Sequence, residues 1–280
     1  MKKMKVAFQG ELGAFSQQAI RQLLGARAEP VPRQRFDQVF AALRSGHVDA
    51  AALPIENTLA GSVHENYDLL LKFNFEITAE TSVRIVHHLI APPGTKFEQI
   101  RRVYSHPVAL NQCLDFFARH KRVERMPFYD TAGSVKMIMA ERPPGAAAIA
   151  SDLAAKIYRG RILKREIEDD QQNFTRFFLL EPHGAKPRDS RADRRKPWKT
   201  SLVFSTRNVP GALFRALSAL ALRDLNLVKI ESRPLRGKPW EYMFYLDLLG
   251  HREDETVRNA LGHLREVADF LRILGSYRAA

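Results

Sequence analysis

The stretch KVAFQGELGAFSQQAIRQLLG, residues 5–25, decides the class of the fold. It begins with an apolar strand pattern, KVAFQG, and continues into a helix pattern from about Ser16 to Leu24, with Gly25 as the stop. The turn between the two patterns is polar. A strand that leads into a helix, repeated along a chain, is typical of α/β proteins, in which helices cover a sheet.

The alternation of strands and helices continues to about residue 183. Pro107 suits the first position of a helix that we expect to include Cys113 on its apolar face, and Asp130 or Thr131 is the N-cap candidate of the next helix. We therefore predict an α/β domain over 1–183. The stretches that repeat the pattern are FDQVFAALRSG (36–46), VDAAALPIEN (48–57), RRVYSHPVALNQCLDFFARH (101–120) and FYDTAGSVKMIMAE (128–141).

Residues 200–280 show a different order of elements, strand–helix–strand–strand–helix–strand, which is the ferredoxin-like βαββαβ arrangement. The segments are SLVFST (201–206), PGALFRALSALALRDLN (210–226), LVKIESRPL (227–235), EYMFYLDLLG (241–250), ETVRNALGHLREVADFLR (255–272) and ILGSY (273–277). A small sheet with both helices on one face is the expected result.

The segment GAKPRDSRADRRKPWK, 184–199, separates these two patterns and is predicted to be a linker. It contains seven basic and two acidic residues, has prolines, and lacks apolar periodicity. Without interleaved aromatic residues, it fits a solvated linker better than a nucleic-acid-binding arm.

The charge of the chain favours acidic partners, because 44 Lys and Arg residues oppose 31 Asp and Glu residues, a net charge of +13. A single cysteine excludes an internal disulfide framework, and the sequence has neither a transmembrane-length apolar stretch nor a signal-peptide pattern. We expect a cytoplasmic protein that does not bind membranes.

Polar clusters in the first domain follow strand patterns, and most of them open a helix. Free backbone N–H groups and the positive end of the helix dipole make such positions anion sites when several converge. Each cluster alone could be an ordinary capped helix or turn. The clusters are GELGAFS (10–16), PIENTLAGSV (54–63), SHPVAL (105–110), DTA (130–132) and NFTRF (173–177).

Several classes of chemistry lack their motifs in this chain. There is no phosphate-binding loop, no dinucleotide fingerprint and no serine-hydrolase elbow. His87 and His88 are neighbours in a strand-like segment and should point to opposite faces, so one metal site cannot easily use both. We expect no metal and no cofactor, and anion binding combined with proton or hydrogen-bond chemistry is the class that remains.

The order and spacing of six motifs resemble the prephenate dehydratase family, with an ACT regulatory domain at the C-terminus. The resemblance covers nearly the whole chain except the basic linker. It implies a two-lobed α/β catalytic domain of the periplasmic-binding-protein type, with a cleft between the lobes, and a ferredoxin-like ACT domain. The motifs are PIENTLAGSVHENYDLL (54–70), SHPVALNQC (105–113), YDTAGS (129–134), NFTRFFLL (173–180), PGALF (210–214) and IESRP (230–234).

The reaction implied by the resemblance is the conversion of prephenate to phenylpyruvate, CO2 and water, in phenylalanine biosynthesis. We expect Thr175 to donate a hydrogen bond to the leaving hydroxyl. Glu56 is the alternative proton source if burial raises its pKa, with Asn57 beside it. Arg176 either holds the side-chain carboxylate of the substrate or organises the site. The implied substrate-binding residues are Ser16, Thr58, Ser105, His106, Thr131, Ala132, Asn173 and Phe177.

Four positions depart from the usual family pattern, and two of them are Glu11 and Ala14, which stand where the first loop usually has a proline and a threonine. Thr58 replaces a serine and keeps the hydroxyl, whereas Val108 stands where the family commonly has a glutamine. We therefore expect the side-chain amide contact to the ligand to be missing at Val108.

The second domain is implied to bind phenylalanine and to regulate the enzyme by feedback at the interface of a homo-oligomer, since ACT domains usually pair side by side. A plain turn followed by a solvated strand is the alternative interpretation. The implied effector residues are Asn208, Pro210, Gly211, Ala212, Leu213, Glu231, Ser232 and Arg233.

Three functional alternatives remain open from the sequence. The first is arogenate dehydratase, which performs the same chemistry on the transaminated substrate, and the choice could rest on one or two pocket side chains. The second is a non-catalytic sensor of small anions or amino acids. The third is nucleic-acid binding through 184–199, which we consider the weakest because of the composition of that segment.

Overall fold

The computed structural model describes residues 3–188, 195–235 and 240–280, so the middle of the predicted linker, 189–194, lies outside the described residues. The chain forms two compact units. The first contains residues 1–73 and 81–179, and the second contains residues 74–80 and 180–280. The predicted limits at 183 and 199 stay predictions.

The first unit is built around two sheets, and two of their strands, Phe75–Arg84 and Phe174–Pro182, continue into residues of the second unit. The strands along this part of the chain are β1 (Met4–Gln9), β2 (Ala28–Arg33), β3 (Ala50–Asn57), β4 (Gly61–Ser62), β5 (Phe75–Arg84), β6 (His88–Ala91), β7 (Arg102–Ser105), β8 (Glu124–Pro127), β9 (Ala146–Ala150), β10 (Arg161–Lys164) and β11 (Phe174–Pro182). The helices are α1 (Phe15–Leu24), α2 (Phe36–Arg44), α3 (His64–Lys72), α4 (Pro107–Asn111), α5 (Leu114–Arg119), α6 (Thr131–Glu141) and α7 (Asp152–Tyr158), with 3-10 turns at Gly25–Arg27 and Phe97–Gln99.

The first sheet has the strand order β2-β1-β3-β11-β5, with β4 paired to β3. β1 runs parallel to both of its neighbours, and its residues Val6, Ala7 and Phe8 are fully buried. Continuous apolar runs of this kind are expected for strands covered on both faces. Helices α1 and α2 pack on this sheet.

The second sheet has the order β10-β6-β9-β7-β8, with α6 packed on β9 and β7. All five residues of β9, AAAIA, are buried. Cys113 lies in the core of this lobe, as predicted, and burial raises the pKa of its thiol. The single helix predicted from Pro107 is instead two helices, because the chain breaks at Gln112 and Cys113, and Leu114 is consequently exposed.

The second unit contains β12 (Trp198–Ser205), α8 (Ala212–Ala221), β13 (Leu227–Pro234), β14 (Tyr242–Leu249), α9 (Glu255–Val267) and β15 (Phe270–Arg278). The strand order β13-β14-β12-β15 and a core formed by one sheet face with α8 and α9 confirm the ferredoxin-like prediction. The predicted extension of the last helix to residue 272 is wrong. Residues 270–272 begin β15, where Leu271 and Ile273 pack against the core.

No helix in the described part of the chain is long and apolar enough to cross a membrane. The fold class is the predicted one, an α/β unit with two sheets followed by a ferredoxin-like domain.

Candidate active site

A cavity of about 430 Å³ in the first unit collects residues from both of its sheets. Half of the twelve predicted catalytic and substrate-binding residues line it, and they come from five separate segments of the chain. These residues are Ser16, Asn57, His106, Thr131, Thr175 and Phe177.

Helix starts bring several of these side chains to the cavity. Ser16 lies in the first turn of α1, His106 is the N-cap of α4, and Thr131 is the first residue of α6. The carboxylate of Asp130 caps α6 by accepting a hydrogen bond from Gly133 N at 2.7 Å, which confirms one of the two predicted N-cap residues. Helix N-termini offer N–H donors to anions, so this wall of the cavity suits a carboxylate ligand.

The hydroxyl of Thr175 is oriented by the side chain of Asn57. Asn57 Oδ1 accepts hydrogen bonds from the backbone N–H groups of Leu59 at 3.0 Å and Ala60 at 2.8 Å, which fixes the carboxamide. Its Nδ2 therefore donates, to Asn173 Oδ1 at 2.8 Å and to Thr175 Oγ1 at 2.9 Å. Because Thr175 Oγ1 accepts this bond, its own proton is free to be donated into the cavity.

Gln112 and His87 extend this hydrogen-bond network and were not predicted from the sequence as residues of this site. Gln112 Nε2 donates to Asn57 Oδ1 at 3.3 Å, and Gln112 Oε1 lies 3.0 Å from His87 Nε2. Both side chains line the cavity. Gln112 belongs to the motif that starts at Ser105, and it ends the helix whose N-cap, His106, faces the cavity. That position is the signal from which Gln112 could have been predicted as a site residue.

Arg176 and Glu56, two of the predicted catalytic residues, do not line the cavity, and their roles stay predictions. Successive residues of a strand point to opposite faces, so Arg176 of β11 faces away from the side used by Thr175 and Phe177. Its guanidinium lies 4.7 Å from the ring centroid of Phe178, on that opposite face. Alternation along β3 likewise separates Glu56 from Asn57.

Four predicted substrate-binding residues also lie outside the cavity lining and instead support it. Thr58 Oγ1 donates to Gln172 O at 2.7 Å and accepts from Phe174 N at 3.0 Å, which ties β3 to β11. Ser105 Oγ donates to Ile149 O at 2.6 Å. Ala132 and Asn173 are fully buried, and the latter holds Asn57.

The electrostatic character of the cavity is not that of a cationic pocket. None of the described residues that line it is a lysine or an arginine, and Asp130 is its one acidic lining residue among them. Burial lowers the pKa of both His87 and His106, which favours neutral imidazoles. Hydroxyl and N–H donors must therefore bind any carboxylate here. Val108, at the position where an amide was expected, lines the cavity with an apolar side chain.

The predicted effector residues lie at one end of the sheet in the second unit. Gly211, with φ +75°, is the N-cap of α8, and the exposed Asn208 lies in the loop before it. Ser205 at the end of β12 and Arg233 near the end of β13 are both paired with Met243 of β14, so the two strand ends are close. The remaining effector candidates in the loop and the first turn are Pro210, Ala212 and Leu213.

The three effector candidates on β13 are divided between the two faces of the sheet. Ser232 pairs with Phe244, which packs in the core beneath the helices, so it shares the face of α8. Glu231 and Arg233 point to the opposite face. Within the described residues, no group of three or more His, Cys, Asp or Glu side chains could hold a metal ion.

Comparisons with known proteins assign the chain to a family. The sequence profile of the prephenate dehydratase family matches residues 6–185, and that of the ACT domain matches residues 200–265. An arogenate dehydratase/prephenate dehydratase 2 of Arabidopsis thaliana is 45% identical over 284 residues, which cover 98% of this chain and 73% of the relative.

Solved structures agree with this assignment. Prephenate dehydratase from Arthrobacter aurescens, in complex with L-Phe, has 32% identity and a TM-score of 0.89 over 99% of this chain and 90% of that one. GqqA, described as a quorum-quenching acylase, has 34% identity and a TM-score of 0.88 over 99% and 98% of the two chains. The chain belongs to the prephenate dehydratase family and carries a C-terminal ACT domain. It is a dehydratase of the prephenate/arogenate type, and therefore a lyase.

Proposed function

We propose that this protein converts prephenate to phenylpyruvate, with loss of CO2 and water. The observation that carries the proposal is the direction of the Asn57–Thr175 hydrogen bond, which leaves the Thr175 proton pointing away from Asn57 in a residue that lines the cavity. A donor placed at the leaving oxygen stabilises the negative charge that develops as the C–O bond breaks.

The bond changes follow from the aromatisation of the ring. The electron pair of the bond to the ring carboxylate becomes part of the aromatic system, the carboxylate leaves as CO2, and the C–O bond on the other side of the ring breaks. The departing hydroxide takes up a proton and leaves as water. A carboxylate that must leave as neutral CO2 is destabilised by apolar surroundings, and Phe15, Phe36, Ile85 and Phe177 supply an apolar part of the cavity lining.

The side-chain carboxylate of the substrate is proposed to bind at the helix starts. The N-terminal turns of α1 and α6 present Ser16 and Thr131 to the cavity, and their backbone N–H groups are suited to an anion. Arg176 contributes indirectly in this proposal, through the packing of β11, because its side chain lies on the other face of the strand.

Arogenate is a second candidate substrate, and the charge of the cavity favours it. Arogenate carries an ammonium group where prephenate has a keto group. Asp130 lines the cavity, its pKa is raised by burial, and no cationic side chain among the described lining residues compensates it. An incoming ammonium would supply that compensation. Relatives named arogenate dehydratases, such as one from Petunia hybrida at 43% identity, are consistent with this candidate.

Turnover of the two substrates by the full chain tests the proposal. Prephenate should yield phenylpyruvate, which is read by absorbance, and arogenate should yield phenylalanine, which is read by chromatography. A higher kcat/KM for prephenate supports the first candidate, and a higher value for arogenate supports the second. Failure to turn over either substrate would refute both.

L-Phenylalanine is the proposed effector of the ACT domain. Support comes from the helix start at Gly211, which can bind the carboxylate of an amino acid, and from the similarity to the Arthrobacter aurescens enzyme in complex with L-Phe. A side-by-side pair of ACT domains is the proposed setting. β13 is an edge strand of its sheet, and its Val228 and Ile230 are 46% and 48% exposed.

A further inference from the structure

His87 lies against the cavity but belongs to none of the motifs from which the site was predicted. It is 1% exposed, and its ring meets that of Phe15 edge-on, with centroids 5.6 Å apart. Its backbone N–H donates to the carboxylate of Glu168 at 2.9 Å, which anchors the residue between β5 and β6. The backbone bond and the contact with Phe15 hold the imidazole at the edge of the cavity.

The tautomer of His87 follows from its neighbours. Asn57 Oδ1 is a fixed acceptor because backbone N–H groups donate to it, which favours the Gln112 orientation with Nε2 toward Asn57 and Oε1 toward His87. An oxygen facing His87 Nε2 at 3.0 Å requires a proton on that nitrogen. Within the described residues, the buried Nδ1 atom has no hydrogen-bond partner. A proton there would be unsatisfied, which favours the neutral Nε2–H form.

The hydrogen bond from His87 decides which end of Gln112 faces the reaction. The contact between Gln112 Nε2 and Asn57 Oδ1 is long, at 3.3 Å, and alone gives weak control over the carboxamide. With Nε2 turned toward Asn57, one of its two N–H bonds points there and the other remains for a ligand in the cavity. The flipped carboxamide would instead place an oxygen beside Asn57 Oδ1 and beside an anionic substrate.

We propose that His87 is a positioning residue for the dehydration: its Nε2–H holds the Gln112 carboxamide so that an N–H donor, not an oxygen, faces the substrate beside Thr175. The cavity depends on such donors because no lysine or arginine is among its described lining residues. This inference rests on the proposed function, since it assigns a role within the same reaction.

His87→Leu tests the proposal by removing the donor. We expect kcat to fall on the order of tenfold or more on the preferred substrate, because an oriented transition-state donor is lost. His87→Gln, whose amide can donate to the same oxygen, should recover a substantial part of the loss. The decisive arm is the Gln112→Leu background, where His87→Leu should have no further effect on kcat. A full additional loss in that background would overturn the positioning role.

His88→Asn is the matched control for damage to the fold. His88 is the neighbouring residue, is 5% exposed and accepts a hydrogen bond from Glu166 N, but it does not line the cavity. It should change thermal stability without the loss of kcat expected for His87→Leu. Equal losses of kcat in the two variants would show a merely structural role and overturn the proposal.

The tautomer gives a test that does not depend on activity. In ¹⁵N NMR spectra of the full chain at neutral pH, His87 should be neutral with its proton on Nε2. A proton on Nδ1 would overturn the inference even if the wild-type chain turned over neither substrate. Wild-type turnover with an unaffected His87→Leu variant would overturn it while leaving the proposed function intact.

Discussion

At the scale of single residues, the direction of hydrogen bonds determines what the site can do. Two backbone donors orient Asn57, and Asn57 in turn makes Thr175 an acceptor on one side. Thr175 is only 9% exposed, so its proton has few directions other than the cavity. A hydroxyl that is a poor acid in water can still serve as an oriented donor in such a setting.

Replacing Thr175 by alanine should reduce kcat on the order of a hundredfold or more, because the donor to the leaving oxygen is lost. Thr175→Ser should keep much of the activity, since its hydroxyl can accept from Asn57 in the same way. Steady-state kinetics on the preferred substrate provide the measurement, with thermal unfolding of both variants as the control. Near-wild-type rates in the alanine variant would contradict the role of the hydroxyl.

Asp130 gives a prediction about pH. Burial raises its pKa above the ordinary value of 3.8, so its ionised form weakens the folded state. A raised folded-state pKa means that the contribution of this group to stability is fully present below pH 3.8 and is lost as the pH rises through the folded-state value. Asp130→Asn should therefore increase the free energy of unfolding at neutral pH, and the gain should vanish as the pH approaches 3.8.

Denaturant unfolding across this pH range measures the effect of Asp130→Asn. Asp130→Ala is the control, because it also removes the charge but loses the hydrogen bond to Gly133 N that caps α6. The alanine variant should be less stable than the asparagine variant at every pH. A gain for Asp130→Asn that grows toward acid pH would contradict the assignment.

The order of the motifs in the sequence predicted which residues form the site, whereas the directions of their side chains are known only from the structure. Thr175 and Asn57 were predicted and lie together. Arg176 was predicted either to hold a substrate carboxylate or to organise the site, and its position on the face of β11 opposite to Thr175 favours the second role. His87 was set aside as half of a poor metal pair, because nothing in a linear pattern shows that it reaches Gln112, 25 residues away.

At the scale of elements, the loop between β1 and α1 joins the two lobes of the first unit. Gly13, with φ +96°, passes so close to α7 that an added Cβ would lie 2.7 Å from Ala154 Cα. Ser151 Oγ also donates to Gly13 O at 2.7 Å. The stretch 5–25, which predicted the α/β class, therefore also fixes the position of the cavity wall that contains Ser16.

Gly13→Ala should destabilise the protein by about 3 kcal/mol or more, because the left-handed backbone and the contact with α7 both resist a Cβ. Gly94→Ala is the matched control. Gly94 has a similar φ of +88° with no atom within 4 Å of the added Cβ, so it should cost only about 1–2 kcal/mol. Denaturant unfolding of the two variants measures the difference. Equal costs would show that the close approach to Ala154 is unimportant.

The alternation of strands and helices was readable from local periodicity, but the ends of some elements were not. The apolar face that begins at Leu110 continues through Leu114 in the sequence, yet the helix breaks between them and Leu114 is 47% exposed. Cys113 stays in the core because the break turns it inward. Hydrophobic spacing cannot detect such a break when no Gly or Pro marks it.

At the scale of the whole molecule, residues 74–80 lie within the predicted first domain and are part of the second compact unit. Two ion pairs tie this segment to the rest of the second unit. Glu76 is bonded to Arg252 at 2.8 Å, and Glu80 is bonded to Lys199. Local periodicity cannot detect ion pairs between residues more than a hundred positions apart. A sequence pattern therefore assigns such a strand to the same domain as its neighbours in the chain.

The same unit carries the proposed effector site, which leads to a prediction about regulation. L-Phenylalanine should raise the thermal unfolding temperature of the full chain and lower its turnover over the same concentration range, because one binding event underlies both effects.

Asn208→Asp puts a negative charge in the loop before α8, where the carboxylate of the amino acid is proposed to bind. Both effects should then require roughly tenfold more phenylalanine, which corresponds to about 1.4 kcal/mol of binding free energy. Turnover without phenylalanine should be unchanged, since Asn208 does not line the cavity. D-Phenylalanine is the control ligand. A wild-type chain that responds in neither measurement would contradict the regulatory proposal, and an Asn208→Asp variant that responds like the wild type would contradict the position of the site.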